Sequence, residues 1–228
     1  MASGWVKIGS DINGDKSFDN LGRSVSLSSD GTVLAVGSPE VNDEISASVK
    51  QTTLGNGYTR IYKYFEGSWF QLGEDIIGEV KGDISGTSVS LSSDGTTVAV
   101  ASLFHDDTGI WQFYRGHVRI FRYSSGTWSQ LGENIDGENN GDRSGYSVSL
   151  SGDGSVVAIG SNFNDGNGNN SGHVRIFHNV SGTWSQLGED IDGSAAEDFS
   201  GNSVSLSSDG KIVAIGAPGN DGNGDDSG

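Results

Sequence analysis

The sequence predicts an all-β protein, a β-propeller of four-stranded antiparallel blades. Three observations predict it: an internal repeat of 56 to 64 residues, apolar alternation with period two inside each unit, and Asp-Gly turns between neighbouring runs. Trp opens each unit at Trp5, Trp69, Trp128 and Trp184, giving spacings of 64, 59 and 56. The motif Ser-Val-Ser-Leu-Ser begins at Ser24, Ser88, Ser147 and Ser203 with the same spacings. A single repeat domain with units of about 5–68, 69–127, 128–183 and 184–228 follows.

Each landmark reads as a strand. In Ser-Val-Ser-Leu-Ser the apolar residues Val25 and Leu27, Val89 and Leu91, Val148 and Leu150, Val204 and Leu206 fall two apart, so each pair faces one layer. The next segment (Val33–Gly37, Val98–Val100, Val157–Gly160, Val213–Gly216) is apolar at successive positions, as expected of a strand covered on both faces. Asp30-Gly31, Asp94-Gly95, Asp153-Gly154 and Asp209-Gly210 join the two as hairpins, because both residue types tolerate positive φ. The third strand alternates again, with Val118 and Ile120 on one side and Arg119 and Phe121 on the other. A Ser-Gly turn then leads to the fourth, Thr-Trp-Ser-Gln-Leu-Gly. No segment has a 3.6-residue apolar period, so no helix is expected. One such unit cannot cover both of its own faces, and neighbours must stack. The chain opens with a fourth strand at Trp5–Ile8 and stops where a third strand is due, which predicts three complete blades and an incomplete fourth. Such an arrangement is expected either of a fragment of a larger propeller or of a chain that self-associates through its open edge.

Composition narrows the function. Thirteen Lys and Arg stand against 30 Asp and Glu, a net charge of −17, which leaves no cationic surplus for nucleic acid. No apolar run approaches the ~20 residues of a membrane span, so no membrane insertion is expected. The absence of Cys removes disulfides, thiol catalysis and Cys-ligated metal. The first ten residues lack a basic region followed by an apolar stretch, so the chain as given carries no signal peptide.

The units resemble the FG-GAP repeats of integrin-α-like propellers. Gly216-Ala217-Pro218 is literal, and Gly37-Ser38-Pro39 nearly so. The leading pair corresponds to Leu21-Gly22, Ser85-Gly86, Ser144-Gly145 and Ser200-Gly201, each with an Asp three residues before the Gly (Asp19, Asp83, Asp142, Asp198). The resemblance implies a propeller in a secreted or surface protein that binds ligands or holds calcium. It also implies a D-x-D-x-D-G calcium loop between first and second strands. Here that connection is only Ser-x-Asp-Gly, too short to wrap such a cation.

Strand parity puts the long acidic connections on one rim and tight turns on the other, so function is expected on the long-loop rim. Two second-to-third loops there carry oxygen side chains at alternate positions: Asp165, Asn167 and Asn169 in one, Asp221, Asn223 and Asp225 in the other. That spacing suits calcium, and it equally suits plain turns, since Asn, Asp and Gly all favour positive φ. The corresponding loop of the second unit gathers Phe104, Trp111, Phe113, Tyr114 and Arg115. These form either a contact patch for a protein or glycan partner or a private mini-core. His117 and His173 share one repeat position and read as part of the blade pattern. The reading is a non-catalytic extracellular or cell-surface binding and adhesion module using the long-loop rim, with calcium as its candidate ion. The alternatives are a structural scaffold without ligand and a lectin-like, glycan-binding propeller.

Overall fold

A computed structural model describes residues 4–40, 55–105, 114–224 and 227–228. Among them every regular element is a strand, arranged in four antiparallel sheets. The first blade comprises β1 (Ser24–Leu27), β2 (Val33–Ser38), β3 (Tyr58–Phe65) and β4 (Ser68–Gln71), with the short β5 (Ile76–Ile77) returning to the start of β3. The second repeats this as β6 (Ser85–Leu91), β7 (Thr97–Ser102), β8 (His117–Ser124), β9 (Thr127–Gln130) and β10 (Ile135–Asp136). The third consists of β11 (Ser147–Leu150), β12 (Val156–Ser161), β13 (His173–Val180), β14 (Thr183–Gln186) and β15 (Ile191–Asp192). The fourth holds only β16 (Ser203–Leu206) and β17 (Val213–Gly216). The fold is therefore an all-β propeller with three complete blades and an incomplete fourth.

One sequence expectation is corrected. Trp5–Ile8 forms no strand, and the Trp5 side chain is fully exposed. The fourth strand of a blade exists by pairing with the third, and among the described residues no third strand lies beside Trp5–Ile8. Fourth strands thus number three among the described residues rather than four.

The Ser-x-Asp-Gly turns are locked by their own side chains. Ser28, Ser92, Ser151 and Ser207 each donate from Oγ to the turn Asp at 2.7 Å. Each Oγ also accepts from an N–H at or just before the start of the second strand (Val33, Thr97, Val156, Ile212) at 2.9–3.0 Å. The Asp in turn accepts from the N–H two residues on. These bonds hold the Asp30 carboxyl down at about 2, and Asp153 and Asp209 are lowered for the same reason.

Neighbouring blades are joined along their first strands. Ser26, Ser90 and Ser149 each accept, through Oγ, the N–H of Leu91, Leu150 and Leu206 on the following blade, all at 2.9 Å. The middle Ser of the repeated motif is therefore an inter-blade connector. The core is split into layers between blades. Val98 and Val100 of β7 enter the layer shared with Val33, Ala35, Ile61, Val89 and Leu91, while Ala99 and Ala101 enter the layer with Val148, Leu150, Val157 and Ile159. Successive apolar positions in the second strand thus serve two cores, each buried Val worth ~1.5–3 kcal/mol and each Ala less.

The outer edge of each blade is broken at Leu-Gly. Leu72, Leu131 and Leu187 still donate to Ile61, Ile120 and Ile176 at 2.7 Å, and the next residue turns away. Gly73 and Gly132 have φ of 77° and 81°, and a Cβ there would lie 2.8 and 2.9 Å from the indole of the following blade's Trp128 and Trp184. Only Gly meets both conditions. Those indoles donate to Leu72 O and Leu131 O at 2.7 and 2.8 Å, so each Trp pins its blade to the one before.

Candidate ligand-binding rim

The β2–β3, β7–β8 and β12–β13 connections leave from one rim, together with the straps that lead from β5, β10 and β15 to the next first strand. Among the described residues the opposite rim carries only the locked Asp-Gly turns and two-residue turns such as Ser125-Gly126 and Ser181-Gly182. This is the division that strand parity predicts.

A buried Asp organises each strap. Asp83 and Asp142 accept from Val80 N and Asn139 N, at 2.9 and 3.0 Å, and Asp19 and Asp198 each accept from two strap amides. The same carboxylates reach the second-to-third loop. Asn164 Nδ2 donates to Asp142, Asn220 Nδ2 to Asp198 and the Tyr58 hydroxyl to Asp19, while His105 Nδ1 lies 3.0 Å from Asp83. The aspartates that carry the family resemblance are thus buried struts between loop and strap.

In the loop of Asp165, Asn167 and Asn169, the side chains bond in three directions. Asp165 Oδ1 accepts from Asn170 N at 2.8 Å, Asn167 Nδ2 donates to Gly193 O and Ser194 O, and Asn169 Nδ2 donates to Glu197. The loop of Asp221 and Asn223 repeats the outline: Asn220 Oδ1 accepts from Gly222 N, and Asn223 N donates to Ser227 Oγ. Asp225 lies outside the described residues. Of the aromatic group, Phe104 and Tyr114 stack with ring centroids 4.2 Å apart, both half-buried, and Arg115 Nε donates to Gly137 O at 2.5 Å. Trp111 and Phe113 lie outside the described residues.

Sequence reasoning missed what happens beneath the rim. Arg60, Arg119 and Arg175 sit over Tyr58, Phe121 and Phe177 at 5.0, 5.2 and 5.2 Å. Arg60 pairs with Asp15 and Asp75 as a carboxylate-rich chain suggests, whereas Arg119 and Arg175 donate to the backbone carbonyls of Ile77 and Asp136 at 2.7 and 2.6 Å. His117 and His173, at the first residue of β8 and β13, are wholly buried. Burial holds the His117 imidazole down at about 2, with His105 and Arg119 pushing the same way. Burial lowers His173 also, and Arg175 adds to it. The signal for these clusters lay in the repeat itself: Asn134 and Asp190 are 56 apart, as the two His are, and Glu79 and Glu138, like Asp83 and Asp142, are 59 apart, both being spacings of the repeat.

Residues 136–177 match the family model of the FG-GAP repeat. The match runs from the end of β10 into β13 and bears out the resemblance read from the sequence. No curated protein matches the chain by sequence. Among solved structures, the chain is similar to a candidate 6-phosphogluconolactonase from Bacteroides uniformis ATCC 8492, with TM-score 0.54 and 15% identity over 86% of this chain and 47% of that one. It is also similar to Sqt1 of Saccharomyces cerevisiae, with TM-score 0.50 and 12% identity over 84% of this chain and 41% of that one. The chain spans less than half of either structure, and at these identities the likeness concerns the fold alone.

Proposed function

From a propeller frame that carries an FG-GAP repeat, we propose a non-catalytic binding module of the cell surface or extracellular space, engaging a protein or glycan partner through its long-loop rim. The carrying observation is an asymmetry. The blades keep one frame, down to identical 2.7 Å Ser–Asp bonds in every locked turn, while the connections on the other rim differ in length and chemistry from blade to blade. A spacer has no reason to vary one rim only; a binding face has. The FG-GAP match supports the surface setting, and the acidic character of the chain argues against nucleic acid as partner. The stacked Phe104–Tyr114 pair with Arg115 is the contact centre, since aromatic and Arg side chains dominate binding energy at interfaces. Wild type and the Phe104→Ala/Tyr114→Ala variant are compared on a glycan array and against immobilised extracellular-matrix proteins. Loss of binding at unchanged melting temperature supports this reading. A lower melting temperature with binding retained makes the pair a private mini-core instead.

Calcium at the rim is a second reading, favoured by the recurrence of one loop outline at Asp165 and Asp221 with its base tied to a buried Asp each time. Its test is a thermal melt in excess calcium and in EDTA at fixed ionic strength. A rise of several degrees that disappears in the Asp165→Ala/Asp221→Ala double variant supports it. No shift reduces both loops to turns.

A further inference from the structure

Three equivalent junctions occur where a blade's third strand meets the preceding strap, and each solves the same electrostatic problem differently. In the first, Asp15 and Asp75 face each other and Arg60 bridges them, with Nε and Nη2 2.7 Å from Asp75 and Nη2 2.8 Å from Asp15. In the second, Glu79 stands where Asp15 does, but Asn134 replaces the second carboxylate and donates to Glu79 at 2.9 Å. In the third, both carboxylates return as Glu138 and Asp190. Arg175, the equivalent of Arg60, has turned to Asp136 O and approaches Glu138 only at 3.7 Å.

His173 faces that pair instead. Its Nδ1 lies 3.4 Å from Asp190 Oδ2 and 4.0 Å from Glu138 Oε2. The side chain is 1% exposed, and neither ring nitrogen has a hydrogen-bond partner. Asp142 joins His173 and Glu138, and Asp192 joins His173 and Asp190, in two groups whose ligand atoms lie within 4.8 Å of one another. Four carboxylates therefore surround one buried imidazole, with one guanidinium beside them.

We propose that the third junction binds a divalent cation of the zinc class through His173, Asp190 and Asp192, whose ligand atoms lie within 4.8 Å of one another, and that the ion ties β13 to the β14–β15 edge of the same blade. Two ligand atoms on one tetrahedral zinc at ~2.0–2.1 Å stand about 3.3 Å apart, close to the His173–Asp190 separation. An imidazole with carboxylates selects zinc or nickel over calcium, which takes 6–8 oxygens. The site is distinct from the rim loops considered for calcium.

Isothermal titration calorimetry of the EDTA-treated, dialysed chain with zinc chloride tests this, with calcium chloride as the parallel titrant. One equivalent of zinc is expected to bind, with little heat from calcium under the same conditions. Asp190→Asn, which copies Asn134 of the second junction, and Asp192→Asn should each weaken zinc binding at least about tenfold, the loss that even an outer ligand partner causes. Asp190 is partly exposed and Asp192 exposed, so the variants should melt as wild type does without zinc. His173→Asn should abolish binding. No zinc binding by the wild type, equal binding of zinc and calcium, or unchanged affinity in Asp190→Asn and Asp192→Asn would each overturn the proposal.

Discussion

The first and third blades begin with the same four residues, Ser-Val-Ser-Leu, in the same hairpin register, yet they occupy different environments. Val25 and Leu27 of β1 are 62% and 56% exposed, whereas Val148 and Leu150 of β11 are 8% and 7% exposed. The difference is the neighbour. β11 has the second blade on one side and β16 on the other, while the corresponding face of β1 meets no blade among the described residues. Identical sequence thus carries different energy according to position in the stack, as expected when each repeat is stabilised mainly by its interfaces.

The largest effect that sharpens this comparison comes from cutting equivalent leucines. Leu150→Ala should cost about 2–5 kcal/mol, the usual range for a buried Leu, against within about 0.5 kcal/mol for Leu27→Ala at an exposed site. Urea denaturation of the two variants measures it, and equal costs would break the interface account. A smaller contrast is expected along the Ser connectors. Ser149→Ala leaves the Leu206 N–H without its acceptor and should cost about 1–3 kcal/mol, while Ser205→Ala, exposed on β16, should be nearly neutral.

Acid titration separates interior from turn. The folded-state value of His117 is held below its ordinary 6.5, down to about 2, so the neutral ring's contribution is intact above 6.5 and is lost as pH falls toward 2. Asp30 has the same sign in a lower window: its contribution is intact above 3.8 and is lost as pH falls to about 2. Stability measured against pH should therefore begin to decline near 6.5, and His117→Asn should make the curve shallower between 6.5 and 4, with His173, lowered for the same reason, supplying the slope that remains, while leaving the lower limb. A curve unchanged in His117→Asn would remove that histidine from the acid response.

Much of the frame was legible in the chain because it rests on local chemistry. Ser-x-Asp-Gly closes through bonds within five residues, and the period-two pattern assigns faces before any partner is known. The rim was legible for the same reason, through strand parity. The candidate site was less so. The strut role of Asp83 and Asp142 depends on His105 and Asn164, each 22 residues away in sequence. The strand expected at Trp5–Ile8 failed because a fourth strand requires a third to pair with, a condition that no local pattern expresses.

The sequence by itself determined the repeat, the strands, the turns and the glycines, since φ preference, alternation and side-chain-to-backbone bonds act over a few residues. Only the tertiary structure decided which identical residues are buried, whether the Arg repeated on each third strand bridges carboxylates or caps a carbonyl, and which acids each buried histidine faces. Those outcomes depend on atoms brought together from different blades, where desolvation and Coulomb energy are set by the neighbour rather than by the chain.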